Sequence, residues 1–178
     1  MTWPLPASIR PATPDDLPAI CALGHEVNAI HHEAHPHVFA GRGEPERDRA
    51  HWAASLACGN DDDDGETCGD RQLFVAELDG QVVGFVTVAV ATESHSLLQP
   101  LRFGRVGSVS VAPQHRGRGI GSGLMQRAHD WVRARGGHEI RLNVWAFNEA
   151  AQRLYVDELG YEVRSLSLAC VLASSKTR

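Results

Sequence analysis

The chain has 178 residues, 43 % hydrophobic and 22 % charged, enough for one domain with a real core and too apolar for global disorder. Its longest nearly apolar run, Val82–Ala91, is half of the roughly twenty residues a bilayer span needs, MTWPLPASIRP lacks the order of a secretion signal, and Cys21, Cys58, Cys68 and Cys170 form no CxxC. A formal net charge of -5 argues against nucleic acid as the main partner, so the expectation is a soluble cytoplasmic domain over residues 1–178, without membrane contact.

Ser8–Ala12 reads as a short strand stopped by Pro11 and Pro14, with Thr13 as helix N-cap and Asp15 and Asp16 in the first turn, where the helix dipole favours anions. Leu17, Ile20, Leu23 and Val27 recur at helical spacing, predicting a helix to about Ile30 that extends at most to His35, before Pro36. A second helix is expected over Pro45–Cys58, and GNDDDDGETCGD, with Asp61–Asp64 repelling one another, is a solvated loop. LFVAEL, Asp79-Gly80 and QVVGFVTVAV form a hairpin, because Asp-Gly suits the positive φ of a tight turn.

A third apolar strand runs from Arg102 to Ala112, and after a glycine-rich turn Ile120, Leu124, Ala128, Trp131 and Val132 line a helix ended by Gly136 and Gly137. Glu139–Trp145 reads as a buried strand, Asn148 as the cap of a helix bearing Ala151, Leu154, Tyr155 and Leu159, and Tyr161–Leu172 as a last strand. The order predicts a mixed α/β sheet in which one helical crossover joins two parallel strands and the preceding strands are antiparallel.

The turn Gln114–Gly123 (QHRGRGIGSG) is the most informative stretch. Its glycines permit a sharp bend, and the unpaired first amides of the following helix offer donors to an anion such as a diphosphate. A P-loop is excluded because no lysine is present, and a dinucleotide fingerprint is disfavoured because the turn follows antiparallel strands past mid-chain. The charge is split: 15 acidic and 5 basic residues occupy the first ninety positions, and 12 basic and 7 acidic the rest. A basic second half would steer an anion, and an acidic first half a cation.

QHRGRGIG resembles the Q/R-x-x-G-x-G/A signature of the GNAT superfamily of N-acetyltransferases. The likeness extends to VGSVSVAP (Val106–Pro113), to Leu142–Val144, to Asn148-x-x-Ala151-x-x-Leu154-Tyr155 followed by Leu159-Gly160-Tyr161, and to the opening IRPATPDDLPAI. It implies a six- or seven-stranded, mostly antiparallel sheet flanked by helices, with splayed central parallel strands. It also implies acetyl-coenzyme A as acetyl donor, a small-molecule or peptide amine as acceptor, no metal, and a homodimer as a common assembly of the family.

By the same resemblance Val109, Ser110 and Val111 would meet the thioester and the pantetheine arm, and the amides of Arg116, Gly117, Arg118, Gly119, Ile120, Gly121 and Ser122 would hold the diphosphate. Asn148 would bond the cofactor arm or cap its helix. Tyr155 would donate a proton to the departing thiolate, a task suited to a phenol with an ordinary pKa of about 10. This chain departs from the pattern twice. Val156–Leu159 puts four residues rather than three between Tyr155 and Gly160, which predicts an extra residue or π-bulge at the helix end. Arg105–Val111 holds no carboxylate to act as general base, leaving a water chain ending at Glu77, Glu93, His95 or a residue of the first helices. That lack leaves room for a non-catalytic acyl-coenzyme A sensor as the alternative.

His31, His32, His35 and His37 cluster before Phe39, and His31/His35 have metal-helix spacing, but no third ligand is identifiable. The reading preferred is that this segment borders the acceptor cleft. Trp52, Trp131 and Trp145 are expected in the core or the cleft wall.

Overall fold

Proline spacing and a buried carboxylate set the first turn of the chain. The computed structural model describes residues 7–41, 45–57, 70–94 and 99–170. Strand β1 covers Ser8–Pro11, and a 3₁₀ turn, Pro14–Asp16, leads into helix α1, Leu17–Ala34. The Thr13 amide and hydroxyl both donate to Asp16 Oδ2 (2.7 and 3.1 Å), and Arg10 clamps the same carboxylate with two bonds of 2.8 and 2.9 Å. Helix α2 is Pro45–Ala57.

Strands β2 (Arg71–Leu78) and β3 (Gln81–Glu93) form the expected hairpin, with Asp79 at φ +51° and Gly80 at φ +75°. Strand β4 is Leu101–Val111, α3 is Ile120–Ala134, β5 is Glu139–Arg141 and α4 is Glu149–Arg153, running into a π turn at Leu154–Glu158. The sheet order is β1-β2-β3-β4-β5, antiparallel throughout except for the parallel β4–β5 pair that α3 connects.

Both faces of this sheet are covered, which is why β2 reads as the continuous run LFVA instead of an alternation. On one face Leu124, Met125, Ala128 and Val132 of α3 bury Phe74, Ala76, Val86 and Val106. On the other, Ile20 and Leu23 of α1 with Trp52 and Leu56 of α2 cover Leu73, Val75 and Phe85. Trp52 stacks edge-on against Phe85 at 5.0 Å, and Trp131 is likewise buried, so both indoles are core.

Two strand expectations change. Glu139–Trp145 is strand only to Arg141, where its pairing with β4 ends and the chain leaves the sheet. Tyr161–Leu172 forms no strand over its described part, Tyr161–Cys170. It is tied to β5 through Arg164 Nη1 and Glu139 Oε2 (2.6 Å), and carries Val163, Leu166 and Leu168 exposed. Alternation marks what a strand could bury, but a strand also needs a partner. The sheet therefore has five strands among the described residues instead of six or seven. Asp61–Asp64, Cys58, Cys68, His95, Val171 and Leu172 lie outside the described residues.

Candidate active site

The parallel pair is short. Phe103, Gly104 and Arg105 of β4 pair with Glu139, Ile140 and Arg141, and there the pairing stops. Strand β4 continues as Val106–Val111, in register with β3 (Val106 opposite Val88, Val109 opposite Val86, Ser110 opposite Phe85), while the chain beyond Arg141 leaves the sheet. A gap thus opens at the β5 edge of the sheet, and among the described residues the backbone groups of β4 on that side lack a ladder partner.

A β-bulge sits at the same place. The register with β3 shifts between Val86 and Val88, so Gly107 and Ser108 together oppose Thr87. The Ser108 amide donates to Thr87 Oγ1 at 2.8 Å, satisfying a donor the bulge removed from the ladder. An isolated glycine within a strand was the sequence signal for this bulge, and the sequence reading missed it. Past the bulge, Val109 and Val111 pack on the α3 side, whereas Ser110 Oγ is buried against α1 and donates to the Leu23 carbonyl (3.2 Å).

At the end of β4 a 3₁₀ turn, Pro113–His115, feeds the glycine loop. Gly117 (φ +70°) and Gly119 (φ +76°) are left-handed, a conformation L side chains rarely adopt, and a Cβ at Gly117 would point into open space. Gly119 is the N-cap of α3, and the first helical bond closes from the Gly123 amide to the Gly119 carbonyl (2.9 Å). The amides of Ile120, Gly121 and Ser122 precede that bond, at the positive end of the helix dipole. Arg116 Nε donates to the Val111 carbonyl (2.9 Å) and Arg118 Nη1 to His115 Nδ1 (3.2 Å), which anchors both guanidiniums beside the loop. Ile120 is buried and fixes the helix start from below. The Ser122 hydroxyl donates to Glu158 at 3.4 Å. This cradle of amides and arginines fits a diphosphate.

Across the gap, Asn148 caps α4, its Oδ1 accepting from the Ala151 amide at 3.2 Å. The extra residue anticipated between Tyr155 and Gly160 is absorbed in a π turn, where the Leu159 amide donates to the Leu154 carbonyl five residues back (3.1 Å). Tyr155 lies within this turn, buried among the apolar side chains between α3 and the sheet, its ring 5.8 Å from that of Tyr161. Burial pushes the Tyr155 phenol above its ordinary pKa, so it stays protonated at neutral pH. Tyr161 is raised further, by burial and then by Tyr155, and its hydroxyl lies 2.7 Å from Nε2 of His129, whose pKa burial lowers.

Two of the suggested proton acceptors sit away from the gap. Glu77 is held by Arg10 (2.7 Å) at the β1 side of the sheet. Glu93 stands opposite Leu101, at the far end of β4, and pairs with Arg141 (2.6 Å). The histidines at the end of α1 meet the segment that follows β5. His31 and His35 of α1, with Phe39, meet Trp145 and Phe147 from the segment beyond β5, through ring contacts of 4.8–5.5 Å. Trp145 is 42 % exposed, so it is not part of the core. Phe147 was not singled out from sequence, since nothing in its local pattern reveals a partner more than a hundred positions earlier. Among the described residues no group of three or more potential metal ligands comes together, and no helix is long and apolar enough to cross a membrane.

A mixed sheet whose parallel strands β4 and β5 part beside a glycine-loop helix start defines the acyl-coenzyme A N-acyltransferase class of fold. The model of the acetyltransferase (GNAT) family matches residues 26–161, and the chain belongs to that family. It is 35 % identical over 86 residues to an uncharacterized N-acetyltransferase of Archaeoglobus fulgidus, covering 48 % of this chain and 57 % of that one. Over 97 residues it is 33 % identical to the streptothricin acetyltransferase of Streptomyces lavendulae, covering 54 % and 48 %. The chain thus spans about half the length of these curated relatives. A solved structure of the BH1408 protein of Bacillus halodurans superposes with a TM-score of 0.81 at 20 % identity, over 93 % of this chain and 99 % of that one, a likeness of fold.

Proposed function

We propose that the chain is an N-acetyltransferase that moves an acetyl group from acetyl-coenzyme A to a primary amine by direct attack. The observation that carries this reading is the coincidence of the β4–β5 gap with the amide cradle of Gly117–Ser122 at its end. The amides of Arg116–Ser122 hold the diphosphate, and the backbone of Val109–Val111 pairs with the pantetheine arm and offers an amide to the thioester carbonyl, where negative charge develops. The acetyl thioester supplies the electrophile. Tyr155 holds a proton that burial prevents it from losing to solvent and donates it to the departing thiolate, and the proton that the amine nitrogen sheds as the amide forms restores the phenol. Asn148 orders the first turn of α4, and with it Tyr155. The acceptor is a small-molecule or peptide amine. The acidic first half of the sequence and the activity in the name of the streptothricin relative support a small basic substrate.

A sensor that binds acyl-coenzyme A without turnover is the second reading, favoured by the lack of a carboxylate on Arg105–Val111. Calorimetry with coenzyme A, followed by thiol release from acetyl-coenzyme A across an amine panel, tests both. Binding with amine-dependent release is the expected result. Tight binding with no release on any amine selects the sensor, and no binding overturns both.

A further inference from the structure

The ring cluster at the end of α1 is built like a binding surface. His35 ends α1, its amide donating to the His31 carbonyl (2.9 Å), and the Val38 and Phe39 amides fold back to the His35 carbonyl (both 3.0 Å). His32 Nδ1 donates to the Phe39 carbonyl at 2.8 Å, which fixes the turn. Phe39 is thereby laid against His31 (4.8 Å) and Trp145 (4.9 Å), while Phe147 meets His31 and His35 edge-on (both 5.4 Å). These rings bridge the end of α1 to the chain segment that follows β5. A core would bury such rings, yet Trp145 is 42 % exposed, and Val38 and Val144, next to Phe39 and Trp145 in the chain, are 55 % and 37 % exposed. Exposed aromatic area beside a reactive gap is area kept for a ligand.

The chemistry of the surface narrows that ligand. His31 Nδ1 lies 2.7 Å from the Val27 carbonyl, which can only accept, so Nδ1 carries the proton and Nε2 of the neutral ring keeps a lone pair. The surface therefore offers π faces and one acceptor nitrogen. Glu93 and Glu139 are held by Arg141 and Arg164, and Glu33, exposed between His32 and His35, is the one carboxylate among these histidines. A polycationic amino sugar needs several free carboxylates, whereas a single amine on a flat ring needs aromatic edges and faces and at most one.

We infer that His31, His35, Phe39, Trp145 and Phe147 form the acceptor site, and that its substrate is a primary amine on a short tether from an aromatic ring. The inference rests on the acetyltransferase reading. The ring packs against Trp145 and Phe147, and an amine N–H donates to His31 Nε2.

Two measurements on the full chain with coenzyme A test it. Phenethylamine, n-butylamine and kanamycin are titrated by calorimetry, and the kcat/KM of each is read from thiol release. Phenethylamine is expected to bind at least tenfold more tightly than n-butylamine and to be the best substrate of the three. Trp145→Ala should reduce the phenethylamine-to-butylamine ratio of kcat/KM about tenfold, and Trp145→Phe should restore most of it. Equal affinity for the three amines, a preference for kanamycin, or an unchanged ratio in Trp145→Ala overturns the inference while leaving the acetyltransferase reading intact. Phenethylamine bound without any thiol release supports the site and defeats the transferase. Failure to bind coenzyme A defeats the acetyltransferase reading on its own.

Discussion

Tyr155 and Asp16 show opposite uses of burial. The Tyr155 hydroxyl is kept as a proton donor because desolvation disfavours the phenolate. A general acid contributes on the order of 10²-fold or more, so Tyr155→Phe should lower kcat about 100-fold with little change in the Kd for coenzyme A. Thiol release and calorimetry measure the two quantities, and an unchanged kcat removes Tyr155 from the mechanism. Asp16 is buried too, but its hydrogen bonds to Arg10 outweigh desolvation and, with those from Thr13, lower its carboxyl to about 2 from 3.8. A depressed carboxyl pKa stabilises the fold at pH values above the unfolded value and loses that contribution as pH falls from about 4 towards 2. At pH 7 it amounts to about 1–2 kcal/mol, reduced from the full shift because Arg10 is 36 % exposed. Asp16→Asn should therefore lose stability at neutral pH by that amount and show a flatter stability curve between pH 4 and 2 in chemical denaturation.

At the level of elements, the sequence was most legible where a local rule and the tertiary contact agree. The Asp79-Gly80 turn, the α3 stripe and the Asn148 cap each follow from a few neighbouring residues, and each stands where expected. The four-residue spacing from Tyr155 to Gly160 even announced the π turn. What failed depends on partners. Glu139–Trp145 has strand composition throughout, but pairing ends at Arg141, where the chain leaves the sheet. The Tyr161–Cys170 stretch alternates like a strand and stays exposed. The bulge at Gly107–Ser108 needed Thr87, twenty residues earlier, to accept the freed amide. Likewise the histidines of α1 were visible as a cluster, but their closure onto Trp145 and Phe147 is a meeting of distant segments that no window of sequence displays.

For the whole molecule, the gap in the sheet is a deficit that a bound ligand makes good. Strand β4 is paired on both sides only over Phe103–Arg105, so from Val106 onward its outer side is open while β3 still pairs the other. A pantetheine arm that paired with that open edge, anchored at the α3 N-terminus, would extend the sheet and bind only the folded chain. At a coenzyme A concentration of about 100 Kd, such linkage adds about 2.7 kcal/mol. For a domain of this size that corresponds to a rise in Tm of about 5–10 °C. Gly119→Val puts a β-branched residue at a φ of +76°, where the first amides of α3 are aimed. The variant should have a lower Tm of its own, and the quantity that decides is the coenzyme A-induced increment. That increment should nearly vanish in Gly119→Val if the amide cradle holds the diphosphate. An increment of wild-type size in the variant would mean that the ligand is held elsewhere, and that the glycine loop serves only to turn the chain from β4 into α3.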